Sequence, residues 1–269
     1  ITNTGADLEV RQRAIHVFGV LLARTSGEKG SNFLPSDKRA PGLSILGDRL
    51  KNETTRISAA HAIDDVAILS TRKEDIPTAW VNEVTLELAA QLRKSDRTLR
   101  GASVEALRSL AMNPNPRAHY NETTMKGLSE CLLPLVNAQD FHFLTPALII
   151  FAKLIPGNAK HLVNPGLVSA LCSVVMSPLV GTALKALLLL VKVIGDEGAG
   201  AELMKRLLRD VGVNGDSAVV GRAIGTLLVH GGPDLGVKME DFLTELQTAQ
   251  DAQRKCLALA ILGEIGLRM

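Results

Sequence analysis

Apolar residues recur at intervals of three and four along most of the chain, which is the spacing of one face of an α-helix. No stretch shows the strict apolar–polar alternation of a half-buried β-strand. Several of the apolar runs directly follow Asp, Asn or Ser, whose side chains cap helices by accepting hydrogen bonds from free backbone amides. The pattern therefore predicts an all-α protein.

The predicted helices form a repeat. Seven segments share one template. Each begins with a residue that is often acidic or an amide, and a long or basic residue follows four positions later. A small residue and then an apolar pair complete the template. The small residues are Ala14, Ala59, Ser103, Ala147, Ala183, Ala223 and Ala258. Their spacing of 35 to 45 residues is close to that of HEAT and armadillo arrays. A Leu- and Ala-rich helical protein without repeats would also fit so loose a template, and this alternative stays open.

A second set of helices lies between the template helices, so each repeat is predicted to be a partner helix followed by a template helix. Pro41 and Pro77 are placed to open two partner helices, because the first helical turn tolerates the missing N–H of proline. The Gly- and Ser-rich stretch 26–40 is predicted to be a flexible loop. The predicted pairs lie near 1–25, 41–71, 77–112, 121–156, 164–194, 198–230 and 237–267. We expect a single HEAT-repeat (armadillo-like), right-handed superhelical solenoid segment over 1–269, with about six and a half helix pairs, that is part of a longer array.

Composition agrees with this fold and argues against nucleic acid and membranes as partners. Hydrophobic residues make up 46% and aromatic residues only 3%, as expected for helices that stack on aliphatic and small side chains. The net charge of +2 does not indicate nucleic acid as a partner. The most apolar run, 186–191, is far shorter than the roughly 20 residues of a spanning helix, so no membrane segment is predicted. Three widely spaced cysteines indicate reduced thiols.

No catalytic or ligand-binding motif is visible. The chain lacks a phosphate-binding loop, a nucleophile elbow and a His-Glu-x-x-His zinc pair, and its six histidines show no metal-ligand spacing. We therefore expect no enzyme activity, no metal and no cofactor. An enzyme with a helical domain stays as an alternative, since only absent motifs argue against it.

Basic residues gather at two successive turns, one repeat apart. The candidate partner-binding residues are Lys51, Arg56, Arg93, Lys94, Arg97 and Arg100. In an array these turns would carry positive charge along one edge, where an acidic groove of a partner could dock. In the other interpretation the arginine at template position four pairs with an acidic residue of a neighbouring repeat as a structural ladder. The ladder is favoured for Arg11, Arg56 and Arg100, and both interpretations stay open for the other four.

Five ordered segments resemble the central repeats of the cullin-associated, neddylation-dissociated (Cand) proteins. They are LEVRQRAI at 8–15, DRLKNETTRI at 48–57, LRKSDRTLRGASVEAL at 92–107, MSPLVGTAL at 176–184 and CLALAILGEIG at 256–266. The resemblance implies a HEAT-repeat superhelix that clasps a cullin–RING core when the cullin carries no ubiquitin-like modifier. It also implies competition with the adaptor and substrate receptor, and hence exchange activity in SCF complex assembly and regulation of ubiquitin ligases.

By the same resemblance this chain is the middle of the clasp, cytoplasmic and nuclear, and we expect it to be monomeric alone. The family's adaptor-blocking and RING contacts lie toward the ends of the full protein, so none is assigned to residues of this chain. Another helical-repeat scaffold, such as a nuclear transport receptor or a coat adaptor, is the alternative.

Overall fold

The computed structural model describes residues 5, 7–27, 33–137, 139–175, 180–197, 201, 204, 205, 207–209, 217–230 and 235–269. Within these ranges the chain is helical and contains no β-strand, which confirms the all-α prediction. The α-helices α1 to α14 are, in order, Leu8–Arg24, Ser36–Lys51, Arg56–Leu69, Thr78–Gln91, Arg97–Met112, Pro114–Arg117, Glu122–Leu132, Phe141–Leu154, Ala159–Leu162, Pro165–Val175, Val180–Glu197, Ser217–His230, Met239–Thr248 and Ala252–Arg268. Short 3-10 helices lie at Lys73–Asp75 and Leu133–Leu135, and residues 201, 204, 205 and 207–209 are also helical.

The chain divides into two units, Ile1–Leu135 with α1 to α7 and Val136–Met269 with α8 to α14. In the first unit the template helices α1, α3 and α5 pack side by side in one layer, and the partner helices α2, α4 and α7 form a second layer. In the second unit α12 packs along α14, and the partner helices α10 and α13 pack on α11 and α14. Each unit thus buries its apolar residues between two layers of helices.

Small residues bring neighbouring template helices into close contact. A Cβ atom built on Gly19 of α1 would lie 2.5 Å from the Cβ of Ala62 in α3. A Cβ built on Gly221 of α12 would lie 2.4 Å from the Cβ of Ala260 in α14. Six of the seven template small residues are buried, and the exception is the half-buried Ala14. The small residue at this template position therefore lies on the buried face of its helix in six of the seven segments.

Acidic N-caps begin four of the template helices. The carboxylates of Asp7, Asp96, Asp140 and Asp251 accept hydrogen bonds from backbone amides of the first turns of α1, α5, α8 and α14. Each satisfies amides that have no partner inside the helix. Asp216, the starting residue of the template segment that contains Ala223, and most of the first helix of the predicted pair near 198–230 lie outside the described residues.

The predicted start of the second helix pair at Pro41 is wrong. Helix α2 begins at Ser36, so Pro41 lies inside it and 36–40 is not a loop. The early turn is held by Arg39, which is 3% exposed and donates to the carbonyl oxygens of Leu22 and Asp75. This buried anchor outweighs the loss of one helical hydrogen bond at the exposed Pro41. Part of the predicted flexible loop, 28–32, lies outside the described residues.

Helix α3 begins three residues later than it would if Asn52, the starting residue of its template segment, were the N-cap. The amide oxygen of Asn52 accepts from the backbone N–H of Thr54 at 3.0 Å and from its hydroxyl at 2.8 Å. Asn52 therefore stabilises the turn between α2 and α3, and the helix starts at Arg56. The proline-rich connection after α5 contains the short helix α6, capped by the side chain of Asn113.

Candidate protein-binding edge

The six candidate basic residues lie at two turns that are neighbours in the structure. Lys51 ends α2 and Arg56 begins α3, and the second turn, 92–96, joins α4 to α5. The side-chain amide of Gln91, at the end of α4, donates to the carbonyl oxygen of Leu50, at the end of α2, at 3.0 Å. We call the surface formed by these two turns the basic edge.

Gln91 ties the two turns together. It is 2% exposed, and its amide oxygen accepts a hydrogen bond from the hydroxyl of Ser103 in α5 at 2.9 Å. One buried amide group thus joins α2, α4 and α5, and leaving it without hydrogen-bond partners would lower the free energy of unfolding. Sequence analysis missed Gln91. The available signal was an amide side chain following the apolar run Leu88–Ala90 at a helix end.

Lys51 and Arg56 form ion pairs. The ammonium of Lys51 binds the carboxylate of Glu83 in α4, and the hydrogen bond and negative charge of Glu83 raise the pKa of Lys51. The guanidinium of Arg56 lies 3.5 Å from the carboxylate of Glu53 in the preceding turn. Arg56 therefore pairs within its own turn, and the ladder to a neighbouring repeat is not the arrangement found for it. Both pairs are partly solvated, so each contributes little to stability.

The second turn carries the more accessible charge. Arg93, Lys94 and Arg97 are exposed, whereas Arg100 is half-buried and its Nε atom is shielded from solvent. Among the described residues, no carboxylate lies within ion-pair distance of Arg93 or Lys94. Of the six residues, Arg93, Lys94 and Arg97 are thus exposed, Lys51 is exposed and pairs with Glu83, and Arg56 and Arg100 are half-buried.

Arg93 also contacts a buried thiol. Burial raises the pKa of Cys131, and the nearby charge and hydrogen bond of Arg93 oppose that rise without cancelling it. The thiol therefore stays protonated at neutral pH and is a poor nucleophile. This contact positions Arg93 on the edge and does not create a reactive site.

The opposite edge of the first unit holds a polar hub around Asp75. The carboxylate of Asp75 accepts from the hydroxyl of Ser26 and the backbone N–H of Gly27, each at 2.7 Å, and from Arg72 at 2.9 Å. Burial alone would raise the pKa of Asp75, but these hydrogen bonds outweigh it and the pKa is lowered. The hub connects the end of α1 to the segment between α3 and α4.

A second polar hub on that edge is centred on Asn82 of α4. Its NH2 group donates to the carbonyl oxygens of Thr78 and His119, and its oxygen accepts from the N–H of Asn121 and the hydroxyl of Thr124. Asn82 is 8% exposed, so its amide is fully satisfied in a buried position. Sequence analysis missed both hubs, because a polar residue on a helix face is usually solvated.

The described residues form no evident catalytic or metal site. No cluster of three or more His, Cys, Asp or Glu side chains in these ranges is arranged to bind a metal ion. Every described helix is too short or too polar to traverse a lipid bilayer.

Comparison with solved structures defines the class of protein. The chain resembles a designed armadillo repeat protein in complex with the peptide (KR)4, with a TM-score of 0.54 and 14% identity, covering 97% of this chain and 95% of that one. An engineered protein matches with a TM-score of 0.52 and 17% identity, covering 98% of this chain and 93% of that one. The fold is therefore that of the HEAT and armadillo helical-repeat proteins, as the sequence predicted.

Sequence comparison defines the family, although no family model matches the chain. All 269 residues are 70% identical to part of the cullin-associated NEDD8-dissociated protein 1, C-terminal part, of Emericella nidulans. Cullin-associated NEDD8-dissociated protein 1 of Dictyostelium discoideum is 26% identical over 281 residues, 98% of this chain, and that of Drosophila melanogaster is 29% identical over 163 residues, 60% of this chain. The chain belongs to the cullin-associated NEDD8-dissociated family. It spans 26%, 22% and 12% of the lengths of these three relatives, respectively.

Proposed function

We propose that this chain is a scaffold segment of a cullin-binding exchange factor. It is part of a protein that clasps unmodified cullin–RING cores, promotes exchange of adaptor and substrate-receptor modules, and so regulates assembly of ubiquitin ligases in the cytoplasm and nucleus. The observation that carries this proposal is the 70% identity along all 269 residues to the Emericella nidulans relative. The segment acts without catalysis of its own.

The repeat fold supports this role physically. An exchange factor must hold its partner over a large surface and still release it quickly. In a repeat protein each helix pair contacts only its neighbours, so small rotations at successive interfaces can change the binding surface. Interfaces such as Gly19 against Ala62 keep the helices in register, because backbone and small side chains leave no room for sliding. The segment is thus a structured spacer, and the basic edge adds electrostatic steering.

A chimera tests the proposed scaffold role. The matching part of the Emericella nidulans relative is replaced by this chain, and binding to an unmodified cullin–RING core and release of its adaptor are measured. We expect the chimera to bind and exchange like the parent relative, because the exchanged segments are 70% identical. A folded chimera that no longer binds the core would overturn the proposal. The isolated chain should bind the core much more weakly than the relative does, and equal affinity would refute the spacer role.

Charge reversal tests the steering role of the basic edge. Arg93, Lys94 and Arg97 are replaced together by Glu in the chimera, and association and dissociation rates are measured at several salt concentrations. We expect the association rate at low salt to fall by about threefold to tenfold and to depend less on salt, with little change in dissociation. The control replaces three exposed lysines outside the edge by Glu: Lys73, Lys160 and Lys255. An unchanged association rate, or an equal fall in the control, would eliminate steering by this edge.

A further inference from the structure

The second unit contains an apolar groove between the template helices α8, α11 and α12. The groove has a volume of about 480 Å³, within the range of roughly 300–1,000 Å³ that is typical of ligand pockets. Its floor and walls are aliphatic and its rim is cationic. The lining residues from α8 and α11 are Leu148, Ile149, Ala152, Leu188, Leu189 and Val191.

Helix α11 carries a lysine where the next template helix, α12, carries a glycine. Lys185 follows Ala183 by two positions, as Gly225 follows Ala223 in α12. A Cβ atom built on Gly225 would lie 2.7 Å from the Cβ of Glu264, so glycine lets α14 approach closely there. Within the described part of the chain, α11 shares only short interfaces with α8 and α12.

On the exposed face of α11, apolar residues lie between two lysines. Leu188 is 44% exposed and lies between Lys185 and Lys192, which are both exposed. At a rise of 1.5 Å per residue the two lysines are separated by roughly 10 Å along the helix. Lys192 reaches across to α8, where its ammonium donates to the carbonyl oxygen of Ala152 at 3.3 Å. His230 of α12 adds a third polar group to the rim.

Acidic residues are scarce in the sequence around the groove, and those nearest along α11 are Asp196 and Glu197 at its end. The chain has no Asp or Glu from Phe141 through Gly195, although the same stretch holds Lys153 and Lys160 in addition to the two rim lysines. Helix α12 also lacks carboxylates. In the first unit, by contrast, each template helix carries at least one Asp or Glu. The charge pattern therefore selects for an anionic occupant.

We propose that this groove docks an acidic, aliphatic peptide segment of a partner protein. One or two Leu-like side chains of the segment enter the apolar cavity beside Leu188, and Asp or Glu residues on either side meet Lys185 and Lys192. The distance between the lysines suits a helical segment with carboxylates seven positions apart and aliphatic residues between them. The inference goes beyond the proposed exchange function and does not require that a cullin supply the segment.

Fluorescence anisotropy with the whole chain tests the groove directly. The probe is a labelled peptide with Glu residues seven positions apart and two Leu residues between them. We expect saturable binding to the chain, and roughly tenfold weaker binding to the double variant K185E/K192E, because each reversal replaces attraction by repulsion. Leu188→Ser should also weaken binding, whereas the matched control Lys255→Glu on α14 should not. Circular dichroism and thermal unfolding verify that each variant is folded.

Peptide controls separate charge from apolar contact. A peptide with Lys in place of Glu, and one with Ser in place of Leu, should each bind much more weakly than the probe. Equal binding of the Lys peptide, equal binding of K185E/K192E, or no binding of the probe would each overturn the proposal. The assay contains no cullin, so its failure would be distinct from failure of the chimera experiment.

Two further measurements identify other occupants of the groove. Binding to vesicles of phosphatidylcholine, with and without phosphatidylserine, reports whether the lysines bind an anionic membrane. Vesicle binding that depends on the lysines, without peptide binding, would refute a peptide site. Sedimentation equilibrium reports self-association, and a dimer abolished by K185E/K192E would show that a second copy occupies the groove. The proposal expects no lysine-dependent vesicle binding and a monomeric chain.

Discussion

Replacement of Gly19 by Ala tests whether close packing of template helices holds the first unit together. Gly19 lies in the middle of α1 and faces α3. The added methyl group would lie 2.5 Å from the Cβ of Ala62, 2.9 Å from its Cα and 3.3 Å from its carbonyl oxygen. Two of these atoms belong to the backbone, so no side-chain rotation can relieve the overlap, and the two helices have to move apart.

Two opposing effects set the size of the change. Ordinary contact begins near 3.4 Å, so the helices must separate locally by about 1 Å. A gap of that size forfeits roughly a quarter to a half of the dispersion energy of the atoms along it, and such overpacking costs about 1–3 kcal/mol. Alanine also favours the helix over glycine by about 1 kcal/mol. Because the overlap involves backbone, we expect the upper part of the cost and a net loss of about 2 kcal/mol.

Urea unfolding followed by circular dichroism measures the effect. Gly101→Ala in α5 is the matched control, since a Cβ atom there meets no other atom within 4 Å. The control should raise the free energy of unfolding by up to about 1 kcal/mol through helix propensity alone. A Gly19→Ala variant as stable as the parent, or stabilised like the control, would refute the close-packing argument.

The two polar hubs give further predictions. Asn82→Leu should lower the free energy of unfolding by about 1–3 kcal/mol, because it leaves buried groups without partners. Asn115→Ala should cost less, because it removes a hydrogen bond to the carbonyl oxygen of Ser70 that is only partly buried. Equal costs in urea unfolding would contradict this. In the folded chain the pKa of Asp75 is lowered below its ordinary value of 3.8. The ionised carboxylate therefore stabilises the folded state above pH 3.8, and this stabilisation is lost as the pH falls through the folded pKa. Asp75→Asn should therefore destabilise the chain at pH 7 and reduce the loss of stability below about pH 4, which unfolding at both pH values measures. An unchanged acid dependence would show that other carboxylates cause it.

The repeat could be found in the sequence because its signals are local. A capping carboxylate such as Asp96 acts within its own first turn, and a small residue such as Ala59 recurs at the same place in each template helix. Apolar spacing then indicates which face of each helix is buried. These signals predicted the all-α repeat fold and placed the basic turns one period apart.

The errors and omissions arise from contacts between distant segments. Helix α2 begins before Pro41 because Arg39 bonds to residues of other elements. Asn82, Gln91 and Asp75 each bond to a residue that lies tens of positions away in the chain: His119, Leu50 and Ser26, respectively. Local periodicity therefore contains no trace of their pairing.

The candidate edge shows the same division between local and tertiary information. Sequence placed six basic residues at two turns, and the structure shows that Arg93, Lys94 and Arg97 are exposed whereas Arg56 and Arg100 are half-buried. Lys51 is paired because Glu83 lies one helix away in space but 32 positions away in the chain. The groove beside Leu188 likewise depends on how far apart α8, α11 and α12 stand. Helix periodicity is set by neighbours along the chain, whereas ion pairs and grooves depend on distances that exist only after the helices have packed.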